Sequence, residues 1–323
     1  MPPPVSRPPE ISILIVNWNG GEMLRNLLTS IEKTRGTIAV ETIVVDNAST
    51  DSSLDAATDF PQVTLLRNAE NLGFARGNNQ AARAATGEFL LLLNNDTIVR
   101  DNALALLAQF LRDHPQVVAV GPKLIGGDGK PQRGGRNFPT FPALLNSITL
   151  LRWTGIFAPA YRRYRREGFD PEKSGPAPQL AAAALMIRRS TFEKIAGFDE
   201  GFSFGVEDVD LCRRLHEFGE ICYVSEAQID HLGRVTSRAN RPFVYRSYEC
   251  GWARYLAKHH GRGAALAYKF LVTIDMPPRL LILAIQSAIH FVSGKREKAQ
   301  RSCDLFKAAL SFTATGLPAF WSS

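Results

Sequence analysis

Apolar runs of strand length alternate with stretches of helical period along the first part of the chain. Residues 11–16, 42–45, 63–66, 89–93 and 117–120 are largely apolar, as strands covered on both faces must be. Between them, residues 22–32, 77–85 and 102–111 place apolar side chains at helical spacing. This rhythm predicts an α/β architecture, a doubly wound and mostly parallel sheet. Residues 126–178 are rich in Gly, Pro, Arg and aromatic residues and predict loops over the sheet. Further strands are expected at 180–187 and 221–224, and helices at 191–196 and 207–218. After Tyr245 the pattern becomes helical, and residues 264–293 are its most apolar part. The expected organisation is a disordered leader (1–9), a catalytic domain (10–245) and a helical C-terminal region (246–323) that meets a membrane or a second subunit.

In doubly wound sheets, ligands bind beyond the C-terminal strand ends. Polar residues gather there: Asn17 and Asn19, Asp46 and Asn47, then Asn94, Asn95 and Asp96. An acid closing an apolar strand reads equally as an Asx turn or as a ligand group. Asp96 suits a hard cation such as Mg²⁺ or Mn²⁺, which needs oxygen ligands and bridges to diphosphates, while Asp46 suits a nucleobase or ribose. The segment 68–79 adds amides, two glycines (Gly73 and Gly77) that permit close approach of backbone to a ligand, and Arg76 for phosphate. Asn78 belongs to the same amide-rich surface.

Glu207-Asp208-Val209-Asp210-Leu211 opens a helix whose Leu211, Cys212, Leu215 and Phe218 share one face. Asp208 falls in the middle of that face, Glu207 at its edge and Asp210 on the far side, towards water. Burial raises a carboxyl's proton affinity and makes it a better base, which nominates Asp208 as catalytic. Glu207 and Asp210 fit helix-start roles. His231 ends an apolar strand and by itself reads as a structural residue.

Composition narrows the classes. Hydrophobic residues make up 45% and charged residues 21%, an ordinary globular balance. The net charge of +7 favours anionic partners. The basic residues cluster at 162–166, 234–246 and 295–301, with no zinc finger or aromatic ribonucleoprotein motif, so nucleic acid is not an expected partner. Four cysteines without a C-x-x-C pair, and a leader with no apolar signal core, point to a reducing, cytoplasmic setting. No G-x-G-x-x-G follows the first strand, which disfavours a dehydrogenase. Asn17-Trp18-Asn19-Gly20-Gly21 is not the basic, Gly-rich loop of a sugar-1-phosphate nucleotidyltransferase.

Taken together, six segments resemble the family 2 inverting glycosyltransferases, especially the rhamnosyltransferase-like branch. They are 15–20 (IVNWNG), 45–51 (VDNASTD), 70–75 (ENLGFA), 93–97 (LNNDT), 197–200 (GFDE) and 207–211 (EDVDL), in the family's order. The resemblance implies a GT-A-type fold and a metal-assisted single displacement. The donor would be a nucleoside diphosphate sugar, and the acceptor a glycan or lipid-linked glycan. It matches Asp46 to the acid that reads the nucleotide base and Asp96 to the metal-contacting acid. Asp208, the second acid of the Glu207-Asp208 pair, corresponds to the general base, and His231 to a histidine near diphosphate and metal. Asn17, Asn19, Asn47, Arg76, Asn78 and Asn95 would line the donor site. Two departures stand out: Asn94-Asn95-Asp96 has one carboxylate where many relatives have two, and Ala182-Ala183-Ala184 stands where relatives carry Ser-Gly-Ala. A catalytically inactive sugar-nucleotide-binding or assembly protein of the same fold is the alternative.

The C-terminal third suggests peripheral attachment at the cytoplasmic face of a membrane. Its longest uncharged run, 280–293, is 14 residues, against ~20 to cross a bilayer. Asp275, Pro277, Pro278 and Arg279 interrupt a longer span. An in-plane helix beside Lys295, Arg296, Lys298 and Arg301 fits better; packing against a second subunit is the other expectation.

Overall fold

The computed structural model describes residues 8–233 and 240–323. Most of the expected leader and part of the basic stretch 234–246 lie outside the described residues. The strands are β1 (Ile11–Asn17), β2 (Val40–Asp46), β3 (Val63–Arg67), β4 (Phe89–Asn94), β5 (Thr97–Val99), β6 (Val117–Ile125), β7 (Gly135–Arg136), β8 (Gly175–Pro176), β9 (Gln179–Leu180), β10 (Ala184–Arg188) and β11 (Glu220–His231). The helices are α1 (Gly21–Thr34), α2 (Ser53–Thr58), α3 (Phe74–Ala84), α4 (Ala103–Asp113), α5 (Phe141–Leu145), α6 (Thr149–Thr154), α7 (Ala158–Arg165), α8 (Arg189–Lys194) and α9 (Glu207–Leu215). Then come α10 (Arg241–His259), α11 (Arg262–Val292), α12 (Arg296–Ser311), a π-helical turn (Phe312–Gly316) and α13 (Leu317–Ser322).

Two compact units result: Met1–Phe138, Gly168–Gly201 and Asp208–Gly233 form the first, and Pro139–Glu167, Phe202–Glu207 and Arg234–Ser323 the second. The first unit holds the sheet, ordered β3-β2-β1-β4-β10-β6-β11-β5 with β8 added on β11. β1, β2, β3 and β4 run parallel, as do β6 and β11, while β10 and β5 run against their neighbours. This is the mostly parallel, doubly wound sheet expected from the sequence. Side chains alternate between its faces. Ile11, Ile13, Ile15, Leu91 and Leu93 pack with α1 and α4, whereas Leu14, Leu90 and Leu92 pack with α3, α8 and α9. The uninterrupted leucine run of β4 is therefore a strand with two buried faces.

Three expectations need correction. The 180–187 strand is broken: β9 pairs with β7 in a small ribbon, and after a turn at Ala182 and Ala183 the chain resumes as β10, antiparallel to β4. Residues 126–178 are not all loop, since α5, α6 and α7 lie there; their short apolar turns are hidden by Pro, Gly and Arg. Asp210 does not face water but is fully buried, because its helix is packed on that side too. Arg214 bridges Asp210 at 2.8 Å and donates to the carbonyls of Ile195 and Gly197. Phe218, beyond the end of α9, is half exposed.

In the second unit, α11 is continuous over 31 residues despite Pro277 and Pro278. Anchoring explains this. The Asp275 carboxylate accepts the Thr149 and Leu150 amides at the start of α6. Arg279 donates to Asp275, to Glu249 on α10 and to the Ser147 carbonyl. Tyr268 donates to Glu249 at 2.7 Å. Bonds on both sides of the proline pair hold the helix where its own ladder is interrupted.

Gly77 gives a test of α3 against β1. A Cβ there would sit 2.8 and 2.9 Å from the two Val16 methyl carbons, and valine is stiff at χ1. Overpacking costs about 1–3 kcal/mol, more than the ~1 kcal/mol that alanine gains over glycine in a helix. Gly77→Ala is therefore expected to lower stability in urea unfolding by about 1 kcal/mol, and Val16→Ala in the same chain to recover part of the loss.

Candidate active site

Parallel register aligns the strand ends. Asn17 lies opposite Asp46, and Val16 opposite Asn94. Asn17 is fully buried and joins three segments: its Nδ2 donates to Asp46 Oδ1 (2.9 Å) and Ser49 Oγ (3.1 Å), and its Oδ1 accepts from Asn95 Nδ2 (2.8 Å). Asp46 also accepts the Ser49 amide (3.0 Å) and hydroxyl (2.6 Å). Gly20 is required beside this group, because a Cβ there would lie 2.2 Å from Asn17 Oδ1 and 2.5 Å from Asn95 Nδ2.

The next residue, Asp96, meets His231 through strand pairing. β5 starts at Thr97 and runs antiparallel to β11 with Thr97 opposite His231. Asp96 Oδ1 then lies 3.5 Å from His231 Nε2, while Asp96 Oδ2 accepts the Gly233 amide at 3.1 Å. Gln132 clamps the imidazole. Its Nε2 donates to the His231 carbonyl (2.8 Å), which turns its Oε1 towards His231 Nδ1 (2.9 Å). Nδ1 therefore carries the proton and Nε2 presents its lone pair to Asp96. Burial holds the ring's proton affinity below the usual histidine value, against the pull of Asp96.

A neutral imidazole nitrogen and a carboxylate oxygen facing each other form a donor pair suited to a divalent cation, with Gln132 as the outer partner that such histidines use. Among the described residues, no three His, Cys, Asp or Glu converge as a metal site. A cation on this pair would take its other ligands from diphosphate oxygens and water. The residues present fit Mn²⁺ or Mg²⁺ on those terms.

β10 connects the third group. The Ala183 carbonyl accepts the Asn94 amide at 2.9 Å, and the Ala182 amide donates to the Asp208 carboxylate. Asp208 is half-buried, with part of its surface open to solvent. Its carboxyl is pushed up to about 6, chiefly by burial, with Arg136 and the backbone amides pulling the other way. Such a group is mostly ionised at neutral pH yet a stronger base than an ordinary aspartate. Its neighbour Glu207, in the second unit, is buried and accepts the Val206 amide.

The structure thus links Asn17, Asp46, Asn95, Asp96, His231 and Asp208 through hydrogen bonds, strand pairing and chain adjacency. Other nominated residues are engaged elsewhere. Asn19, with a positive φ of 51°, holds the Ser49–Thr50 turn. Asn47 is buried, donating to the Gly73 carbonyl and accepting from Asn68. Asn78 is buried in α3 and donates to the Phe74 carbonyl. Arg76 is exposed and lies 3.5 Å from Glu200. Gly77 closes on Val16 rather than on a ligand-facing surface. Gln132, Arg136 and Ser49 escaped the sequence reading. The first two lie in the Gly- and Arg-rich stretch, where no periodicity marks a side chain's direction, and Ser49 read as part of a generic helix cap.

Comparison with known proteins agrees with this architecture. The model of glycosyl transferase family 2 matches residues 12–172. N-acetylglucosaminyl-diphospho-decaprenol L-rhamnosyltransferase of Mycobacterium tuberculosis is 26% identical over 270 residues, covering 77% of this chain and 81% of that protein. Among solved structures, the mannosyltransferase PcManGT of Pyrobaculum calidifontis, in complex with GDP-Man and Mn²⁺, superposes with a TM-score of 0.55 at 17% identity, covering 96% of this chain and 88% of its own. GalNAc-T7 with UDP, GalNAc and Mn²⁺ gives 0.53 at 17% identity over 70% of this chain and 44% of that one. These likenesses are of fold, and they agree with a GT-A-type sheet. The family match spans the first four of the six ordered segments, and the chain belongs to glycosyl transferase family 2, on its rhamnosyltransferase-like side.

Proposed function

We propose that the chain moves a sugar, rhamnose being the first candidate, from a nucleoside diphosphate to a hydroxyl of a lipid-linked glycan, with inversion. The observation that carries this reading is the run of linked groups at the C-terminal strand ends: Asp46, Asn17 and Asn95 by side-chain bonds, and Asn94 through the Ala182–Ala183 turn to Asp208. It spans the two requirements of the chemistry: acidic and amide groups to hold a nucleotide, and a base for the acceptor. The name of the mycobacterial relative supports rhamnose and a diphospholipid acceptor. A lipid-linked acceptor supports peripheral contact with a membrane, which this reading places at its cytoplasmic face.

Asp46 and Asn17 would bound the nucleoside, with Asp46 pre-oriented by Ser49. Asp96 Oδ1 and His231 Nε2 would hold a divalent cation, and the two Mn²⁺-bearing structures of the same fold support that cofactor. When bound, the cation offsets the charge of the departing diphosphate. Asp208 takes the acceptor hydroxyl's proton as its oxygen bonds to the anomeric carbon. The bond from that carbon to the diphosphate breaks, and its electron pair leaves with the diphosphate. One displacement with no covalent enzyme intermediate inverts the anomeric centre. Glu207 holds the backbone entering α9, and Arg136 keeps Asp208 ionised at neutral pH.

Incubation with a panel of nucleoside diphosphate sugars and a polyprenyl-diphosphate glycan tests the reading; donor binding without product would favour the inactive alternative. Asp208→Asn is expected to cut turnover ~10²-fold or more with donor affinity nearly unchanged. Because burial raises the Asp208 pKa, the folded state binds its proton more tightly than the unfolded chain does. The group's stabilising contribution is full below about 4 and is lost as pH rises towards about 6. Asp208→Asn should therefore melt above wild type at pH 8 despite its lower turnover.

The active form is deprotonated, so kcat/KM should fall about tenfold per pH unit below an apparent pKa near 6. Arg136→Met, by removing an opposing positive charge, should move that limb to higher pH. A limb that stays in place would take Arg136 out of the site.

Mn²⁺ binding followed by electron paramagnetic resonance should weaken at least about tenfold in Asp96→Ala and His231→Ala, and in Gln132→Leu, which frees the imidazole to change tautomer. Chelator should stop transfer, and Mn²⁺ should restore it better than Mg²⁺, since an imidazole ligand suits the softer ion. Unchanged Mn²⁺ affinity in all three variants would remove the cation from the Asp96–His231 pair.

A further inference from the structure

The polarity of α11 is inverted. Between Gly263 and Val292 its charged side chains are Lys269, Asp275 and Arg279, and all three turn into the second unit. Lys269 is 5% and Asp275 1% exposed, and the Arg279 side chain is 12% exposed. Each is bonded there: Lys269 to the Trp321 and Ser323 carbonyls, Asp275 to α6, Arg279 to α10. They share the inner face with Ala265, Val272 and Met276, which pack in the unit's core. The opposite face is apolar and open. Leu266, Phe270, Ile274, Leu281, Ile285 and Ile289 are each 49–62% exposed. At about 100° per residue they fall within roughly 140° of arc, on the side away from the buried residues. The stripe ends at Phe291 and Val292, 73% and 87% exposed, followed at once by Lys295, Arg296 and Lys298, also exposed. Elsewhere in the unit, Leu150 and Trp153 of α6 and Ile156 just beyond it are further exposed apolar side chains.

We propose that this outer face of α11 is a docking surface for an anionic lipid bilayer, the helix lying in the plane of the interface with Phe291 and Val292 inserted and the following basic residues on the headgroups. The inference deepens the peripheral membrane contact proposed above and gives it a surface. A helix in water puts charge outside and apolar groups inside, and a large open apolar face marks a missing nonpolar partner. Charge selects which partner. Exposed Arg262 stands at one end of the helix and Lys295, Arg296 and Lys298 at the other. Pairing with a second copy therefore brings like charges together in either direction, whereas anionic headgroups complement both ends. The helix is long and apolar enough to cross a membrane by length and composition. Its inner face, however, is committed to bonds with α6 and α10, and α12 beside it is charged, which favours the in-plane setting.

The test is cosedimentation of full-length protein with phosphatidylglycerol vesicles and with phosphatidylcholine vesicles at low salt. The variants are Ile285→Glu with Ile289→Glu, and Lys295→Gln with Arg296→Gln and Lys298→Gln. All five positions face solvent, so thermal melting should stay unchanged. Wild type should sediment with the anionic vesicles. The glutamate pair should lower partitioning about tenfold or more, and the glutamine triple should weaken it and flatten its salt dependence. Wild type left in the supernatant, or glutamate variants that partition equally, would overturn the proposal. So would a dimer in ultracentrifugation that the glutamate pair dissolves while vesicles bind nothing. Transfer to a water-soluble acceptor, measured alongside, should be the same in all variants, so loss of vesicle binding leaves the transferase reading standing.

Discussion

A carboxamide with no access to water stands at the end of the first strand. Buried and unpaired, the Asn17 side chain would be strongly destabilising; here both of its ends are bonded. Its nitrogen is held by Asp46 and Ser49 and its oxygen by Asn95, so β1, β2 and the turn after β4 are locked together at their polar tips. The requirement spreads outwards. Gly20 has to lack a side chain, and the Asn95 orientation sets how the chain enters Asp96. The amide of Asn94 in turn bonds the Ala183 carbonyl in the turn before β10, and the Ala182 amide of the same turn reaches Asp208. A rigid polar edge of this kind is pre-organised, which is what stabilisation of developing charge demands.

The sheet was legible in the amino-acid sequence because a strand buried on two faces has to be apolar throughout, and 89–93 is. The ends of its strands were legible too, since polarity appears there abruptly. Direction was harder. Nothing in Leu185-Met186-Ile187 distinguishes antiparallel from parallel pairing, because both bury the same surface. Asp210 was misplaced because a helix wheel assumes one wet side, whereas α9 is covered on both, and Arg214 makes burial of the acid tolerable. Gln132 was invisible for another reason: it acts through a hydrogen bond made 99 residues away, and no local pattern records such a pairing. The family resemblance supplied roles for Asp46, Asp96, Asp208 and His231 that spacing alone left open.

The second unit inverts a familiar rule, yet obeys the physics behind it. Asp275 and Arg279 flank two prolines that would kink an isolated helix. Their bonds to α6 and α10 supply polar partners inside the unit, and α11 runs on unbroken. Charged groups inside are stable when fully bonded, and a network of directional bonds fixes the rotation of the helix about its axis. That rotation decides which side chains are left outside.

His231 reaches Asp96 only through the pairing of β5 with β11, in which Thr97 faces His231. Strand pairing admits whole-residue steps and nothing between, and each step turns every side chain to the other face. A shift of one residue would put Asp230 where His231 stands and send the imidazole across the sheet. The distance between the two groups therefore cannot drift through a series of small adjustments as it could between two loops. What can change by degrees is the identity of the side chains, while the position of each is held to a grid set by the peptide repeat.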